Sequence, residues 1–405
     1  MMTTNDPPLV SLESLLQDEL AQRAQSGLLR TRRIVEILDA VHVLIDGRQL
    51  VNFSSNNYLG LTHHPKIISA MQSAAGNGVG SGAAGLISGY TSVHRSAESA
   101  IARWKKTESA VLLPSGYQAN FAAIQTLAAL GSGGVRFLID KLAHASLLDA
   151  VRSTGSPWRV FPHNNLARLR RLLEKSNPNQ LQVVVTESIF SMDGDAAPLR
   201  ELAELKREFN FVLFVDEAHG SGVYGPGGCR LIGEIGVFDA VDVCVVTFSK
   251  AAGCIGGAVC GSEEFYRMLL NAGRAYIYST SVPPPIAAAI EAAIGVMRDE
   301  PERQNRLRDL ARSTRENLRA AGVKIPDGDS PIIPIILGSE SAAMESSEKL
   351  FEAGLLVSAV RPPTVARGTS RLRVTLSSEH SGEELAALLE NLKILLRRAG
   401  PDRSP

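Results

Sequence analysis

The sequence has no surplus of charge: 42 Lys and Arg balance 42 Asp and Glu over 405 residues. No basic run is interleaved with aromatics, so nothing offers nucleic acid an electrostatic footprint. The short run Arg30-Thr31-Arg32-Arg33 fits a solvated or substrate-side role better than a polyanion site. Cysteine is scarce. The four cysteines fall between Cys229 and Cys260 without a Cys-X-X-Cys pair, which disfavours a zinc site built on closely spaced ligands. Small buried thiols in a reducing cytoplasm are the expected state. No apolar run reaches the roughly 18 residues a membrane span needs, so none is expected. Met1 to Leu20 carries acidic residues and no apolar core behind basic ones, so it does not read as a secretory signal.

What is present is ordinary globular material, 44% hydrophobic and 21% charged, enough for a large core. Short apolar runs at Val111-Leu113, Phe137-Ile139, Gln182-Thr186, Phe211-Val215, Val243-Thr247 and Ile255-Cys260 predict strands buried on both faces. Segments of helical period separate them, among them Gln118 to Leu130 and Leu199 to Glu208. That alternation predicts an α/β fold with a mostly parallel sheet between helices. Pro283-Pro284-Pro285 interrupts it, and one long helical stretch is expected from Ile286 to about Ala321. A smaller α/β unit follows, with strands at Ile332-Ile336 and Arg371-Thr375 and a closing helix from Gly382 to Arg398. The last five residues are expected to fray.

Ligands in such sheets sit beyond the carboxyl ends of the strands, so those positions are where chemistry is sought. After the first run, Pro114-Ser115-Gly116-Tyr117-Gln118 opens a helix whose N-terminal amides suit an anion such as phosphate. Many α/β turns contain Ser-Gly, so this stretch does not decide by itself. His144, in Asp140 to Ser146, is equally a cap, a core residue or a ligand contact. Glu187 to Asp195 is rich in turn formers, with Asp193 and Asp195 suited to turn hydrogen bonds. Asp216-Glu217-Ala218-His219-Gly220 is more telling, because a carboxylate ending a buried strand needs a partner. A protonated heterocyclic nitrogen is one such partner. A metal is the rival, but no further His or Cys ligand follows at usable spacing. Lys250 ends Thr247-Phe248-Ser249-Lys250 before a glycine-containing loop. A lysine in apolar surroundings loses its charge readily and suits Schiff-base chemistry, whereas a snorkelling surface lysine is the plain alternative. Together, a carboxylate, a lysine, an anion cradle and a histidine are the parts that pyridoxal phosphate requires.

At this point the residues resemble a known family, the α-oxoamine synthases of the fold-type-I pyridoxal-phosphate enzymes. The matching stretches run from about Arg30 to His380. They include Asn52 to Leu61, Asp140 to Ser146, Glu187 to Asp195, Asp216 to Gly220 and Thr247 to Lys250. Arg361-Pro362-Pro363-Thr364-Val365, followed by Gly368 to Arg373, is most similar to the branch that serves biotin synthesis. The resemblance implies a large domain with a mostly parallel seven-stranded sheet and a smaller C-terminal α/β domain. The division it suggests is an N-terminal helix and arm over 1–55, a cofactor domain over 56–290 and a small domain over 291–405.

It also implies condensation of L-alanine with a pimeloyl thioester, carried by coenzyme A or a carrier protein. Carbon dioxide and the free thiol leave, and 8-amino-7-oxononanoate is the product. Residue by residue, it implies that Lys250 carries the cofactor and moves the α-proton, that Asp216 pairs with the ring nitrogen, and that His144 stacks on the ring. His219 and Ser191 then lie near the ring hydroxyl, Thr247 near the phosphate, and Gly116 and Tyr117 at the helix start. Asn56 and Arg361 orient the substrate carboxylate, and Arg30 and Thr364 line the substrate path. Thr280 reaches the phosphate held by a second copy, which implies a cytoplasmic homodimer with shared sites. Condensation of serine or glycine with another acyl thioester is the same-fold alternative. A catalytically silent partner subunit would lack Lys250, and a simple aminotransferase would lack the Arg361-Pro-Pro-Thr stretch. Two departures from the family pattern, Ala366 and Leu86, fall in stretches expected near the substrate entrance.

Overall fold

The structure is a computed structural model that describes residues 11–131 and 133–398. The expectation for the last five residues therefore lies outside the described range, as does the first half of the Met1–Leu20 segment. Three short strands, β1 (Glu36–Ile37), β2 (His42–Ile45) and β3 (Arg48–Asn52), follow an N-terminal helix, Leu12–Gln25. The main sheet comprises β4 (Ser109–Leu113), β5 (Val135–Asp140), β6 (Trp158–Phe161), β7 (Leu181–Glu187), β8 (Val212–Asp216), β9 (Val243–Thr247) and β10 (Gly257–Gly261). The C-terminal part adds β11 (Ile332–Gly338), β12 (Leu355–Leu356), β13 (Ser358–Val360) and β14 (Ser370–Thr375).

The seven-stranded sheet has the order β4-β10-β9-β8-β7-β5-β6. The pairs from β9 to β6 are parallel, and β10 runs antiparallel to both β4 and β9. This is the mostly parallel α/β architecture expected. Its core follows from the pleat: alternate residues face opposite sides, and both sides are covered. Leu138, Val184 and Val215 join one apolar cluster, while Phe137, Val185 and Phe214 join the other. Continuous apolar runs were thus required, because neither face of these strands meets water.

The sequence reading departs from the structure in three places. β6 was not anticipated, because it is an edge strand whose Arg159 and Val160 are exposed, and no unbroken apolar run marks it. The single helix expected from Ile286 to about Ala321 is two, Pro284–Asp299 and Glu302–Ala320. Pro301 has no amide hydrogen and disfavours helical geometry in Glu300 before it, which lies at φ −122° and ψ 58°. Finally, the N-terminal strands do not stand apart as an arm. β3 pairs in parallel with β12, setting Val51 opposite Leu355, so β1-β2-β3-β12 form one small sheet. Beside it, β11-β14-β13 form a three-stranded sheet.

Candidate active site

The parallel strands deliver their last residues to one edge of the sheet, and the titratable groups gather there. β8 is apolar until Asp216, which is only 4% exposed. Its carboxylate accepts the Ala218 amide at 2.9 Å on one oxygen and the Asn120 side-chain amide at 2.8 Å on the other. Asn120 also donates to Ser146 Oγ at 2.9 Å and keeps a buried Oδ1 without a partner. Each Asp216 oxygen retains a lone pair for one further donor.

Lys250, just past β9, places its Nζ 2.9 Å from His219 Nε2. The His219 ring is buried, and its Nδ1 lies 2.7 Å from the Tyr58 hydroxyl, which in turn donates to Asn56 Oδ1 at 3.1 Å. With the tyrosine proton given to Asn56, His219 Nδ1 is the donor to Tyr58 and Nε2 accepts from Lys250. Burial pulls the Lys250 amine down to about 8 despite the opposing fields of Asp216 and Glu187, and Arg373 adds to the fall. His219 is driven well below its usual range by burial first, then by Lys250 and Arg373. A neutral imidazole beside a readily neutral lysine is suited to exchanging protons near neutral pH.

His144 caps the helix Ala145–Ser153, its Nδ1 2.8 Å from Ser146 Oγ, while its own amide donates to Glu187 Oε1 at 2.5 Å. His144 as a residue is solvent-exposed. Desolvation on its inner side lowers its pKa against the pull of Asp216. Glu187, at the end of β7, is raised well above the usual carboxylate range by burial and by Asp216.

Thr247 ends β9 and touches the start of the helix Gly116–Ala128: a Cβ on Gly116 would lie 3.0 Å from Thr247 Cβ. Ser115 caps that helix by accepting the Gln118 amide, which leaves the first amides, of Gly116 and Tyr117, without intrahelical acceptors. Tyr117 itself is 47% exposed. Ser191 is buried, and its carbonyl accepts Arg373 Nε at 2.7 Å.

Lys250, Asp216, His219, His144, Thr247 and Gly116 therefore share one region, with Ser191 and Asn56 joined to it through Arg373. The Arg361 guanidinium lies elsewhere: it donates to the Gly27 carbonyl, and Arg30 donates to the Pro362 carbonyl at 3.4 Å. The Thr364 amide donates to the Arg361 carbonyl at 3.1 Å, so these three residues form one surface patch. Thr280 is exposed and bridges to Ala84. Leu86 is 48% exposed, and Ala366 sits in a surface turn closed by Thr369.

Sequence reasoning missed Arg373, which is 7% exposed and reaches Asn56 Oδ1 with both terminal nitrogens at 3.2 Å. Period-two spacing puts Arg371 and Arg373 on one face of β14, and two arginines on one face of a buried strand need anionic or carbonyl partners. That signal was readable. Glu187 carried the same signal as Asp216, a carboxylate ending a buried strand. Asn120 and Tyr58 carried none in isolation.

The donor set suits pyridoxal phosphate. An amine of lowered pKa, a carboxylate with open lone pairs, a solvent-exposed histidine and a glycine at a helix start all fit it. Among known proteins, a family model described as aminotransferase class I and II matches residues 48–392. The 8-amino-7-oxononanoate synthase of Pelobacter propionicus is 40% identical over 95% of this chain and 98% of its own. A serine palmitoyltransferase from S. paucimobilis, solved with a pyridoxal phosphate–myriocin adduct, superposes with TM-score 0.90 at 28% identity, covering 96% of this chain and 100% of its own. An 8-amino-7-oxononanoate synthase from Francisella tularensis superposes with TM-score 0.75 at 26% identity, over 86% of this chain and 98% of its own. The similarity thus extends across the α-oxoamine synthases, with the Pelobacter propionicus enzyme sharing 40% of its residues over nearly the whole chain. The chain belongs to the class I and II aminotransferase family of pyridoxal-phosphate enzymes and, within it, to the α-oxoamine synthases.

Proposed function

We propose that the protein condenses L-alanine with a pimeloyl thioester, releasing carbon dioxide and the thiol carrier and forming 8-amino-7-oxononanoate for biotin synthesis. The observation that carries this reading is Lys250, its amine lowered to about 8, beside Asp216 and a neutral His219, in a chain 40% identical to an enzyme of that name. When bound, pyridoxal phosphate supplies an electron-withdrawing ring that accepts the electron pair left on the amino acid's α-carbon.

The chain's own residues do the rest. Lys250 Nζ would hold the cofactor, and as a free amine it would take the proton from the amino acid's Cα and return one to that carbon after carbon dioxide has left. His219 Nε2 holds Nζ in place by accepting its hydrogen bond. Asp216, braced by Asn120 and Ala218, would accept the hydrogen bond of the protonated ring nitrogen and so keep that ring electron-poor. His144 would cover one face of the ring, Ser191 and His219 would bound the hydroxyl side, and Thr247 with the Gly116 and Tyr117 amides would hold the phosphate.

Arg373 is the carboxylate clamp in this reading, since its fork already points at Asn56 Oδ1 and its charge is felt at Lys250. Arg361, with Arg30 and Thr364, lines the surface approach used by the acyl carrier. Thr280 contributes to the site of a second copy, so the working unit is a homodimer. The large exposed apolar residues Ile87, Val79 and Tyr278, at 80%, 80% and 73%, support such a contact face. The 1–55, 56–290 and 291–405 division is retained as a functional one, although residues 36–52 pair with the third segment. Cytoplasmic residence is part of the same proposal and is supported by four free cysteines. No described helix is long and apolar enough to cross a membrane.

The test is a product assay with the purified protein, pyridoxal phosphate, alanine and pimeloyl-coenzyme A, reading thiol release and the amine product by mass. Alanine-dependent thiol release with the oxononanoate mass is expected. Turnover of serine with palmitoyl-coenzyme A, and none of alanine, would overturn the assignment in favour of a sphingoid-base activity.

A further inference from the structure

His163 lies outside the group of residues assigned above, yet it joins two of the loops that build the site. It follows the edge strand β6, with its side chain 23% exposed. Its Nδ1 lies 3.0 Å from Asp140 Oδ1, at the end of β5, and its Nε2 lies 2.7 Å from Asp195 Oδ2, in the loop after β7. Each nitrogen faces a carboxylate, and each must donate, so the ring is an imidazolium. The pairing with both carboxylates outweighs burial and raises the ring's pKa to about 10.

The surroundings are built around this charge. Asp140 is 1% exposed in its side chain, and a carboxylate so buried needs a cation or several donors. It has both: besides His163 it accepts the Leu142 amide at 2.8 Å and the Asn164 amide at 2.9 Å. Asn164 extends the clamp by donating to Asp195 Oδ2 at 3.2 Å and to the Ala196 carbonyl at 3.1 Å. The imidazole meets Phe190 edge-on, with ring centroids 4.4 Å apart.

Asp140 leads within four residues to His144, and Phe190 directly precedes Ser191. On its far side the Ser191 loop is held by Arg371, which reaches Asp193 at 2.6 Å, and by Arg373 on the Ser191 carbonyl. On the β5 side it is tied to the His144 loop by His163, by Asn164 and by the Glu187 carboxylate, which accepts the His144 amide.

We propose that His163 is a positioning residue for the cofactor site: its imidazolium ties the His144 loop to the Ser191 loop and fixes the gap in which the cofactor ring lies. The proposal rests on the pyridoxal-phosphate reading, and its test separates the two.

The experiment compares wild type with His163→Gln, which keeps a polar side chain but cannot donate to both carboxylates. Amide hydrogen exchange is measured on the cofactor-free protein, and pyridoxal-phosphate dissociation, kcat and the KM for alanine on the loaded one. Exchange at the Leu142, Asn164 and Phe190 amides is expected to speed up about tenfold or more, with the sheet amides of β7 and β8 unchanged. Cofactor binding should weaken, with the dissociation constant rising about tenfold. The kcat should fall while the KM for alanine holds, because Arg373 and Asn56 are braced from β14. Should His163→Gln fail to fold, Asp195→Asn cuts one of the two contacts at a residue that is 25% exposed, and the same pattern is expected in weaker form. Unchanged loop exchange and unchanged cofactor affinity would overturn the proposal, as would a loss confined to melting temperature. Wild type that takes up no pyridoxal phosphate would defeat the functional reading instead, and the exchange comparison would still judge the clamp.

Discussion

At the scale of single residues, recognition of the amino acid depends on which arginine meets its carboxylate. The Arg361 guanidinium donates to the Gly27 carbonyl in a surface patch, whereas Arg373 is buried among the site residues with both terminal nitrogens on Asn56 Oδ1. A guanidinium grips a carboxylate with two parallel bonds that an ammonium cannot reproduce. Arg373→Lys is therefore expected to raise the KM for alanine by about 30-fold, near 2 kcal/mol. Arg361→Lys should move that KM by less than about threefold and act on the acyl thioester's KM instead. Steady-state kinetics with each substrate varied in turn separate the two. Lys250 gives a pH expectation. Its amine, lowered to about 8 mainly by burial, is protonated below that value and free above it. Capture of pyridoxal phosphate by the empty protein should speed up as pH rises through about 8 and then level off, followed by the growth of visible absorbance. A rate still climbing steeply above pH 10 would mean an unperturbed lysine.

Between whole elements, close approaches set the site as much as side chains do. β10 presses on the helix that starts at Gly116: a Cβ on Gly257 would stand 2.6 Å from the Gly116 nitrogen. That neighbour is backbone and must move as a unit. Gly257→Ala should displace the helix start and weaken cofactor binding by about tenfold, near 1.4 kcal/mol, as equilibrium dialysis would show. The loop clamp carries its own pH signature. His163 is raised from 6.5 to about 10, so its contribution is complete below pH 6.5 and is lost as pH rises through 10. Wild type should accordingly lose more urea resistance than His163→Gln between pH 7 and pH 10, as equilibrium unfolding at several pH values would read.

These elements also show where sequence reading succeeds. Strands buried on both faces announce themselves as apolar runs, and the residues just beyond β8 and β9 were found because those runs were found. β6 left no such run, so the rule of looking past strand ends was never applied to it, and His163 went unnoticed. Arg373 was passed over because a strand residue's partners come from distant loops, here Ser191 and Asn56. The break at Pro301 was legible, since proline inside a helical pattern ends or kinks it.

For the molecule as a whole, the exposure of Thr280 beside Tyr278 and Ile87 is what a shared site requires. Sedimentation at micromolar concentration should show a dimer. Mixing two inactive variants, Lys250→Ala and one with Thr280 replaced by a bulky acidic residue, should restore part of the activity if each site draws on both copies. A monomer with full turnover would remove the shared-site reading while leaving the chemistry in place.

The central claim is that Lys250 is the residue on which the cofactor is held. Its most direct measurement is reduction of the loaded protein with sodium borohydride, followed by peptide mass mapping. The reduced cofactor is expected on the peptide containing Lys250 and on no other, and Lys250→Ala is expected to carry none and to be inactive. Cofactor mass on a different lysine, or turnover retained in Lys250→Ala, would contradict the account at its root.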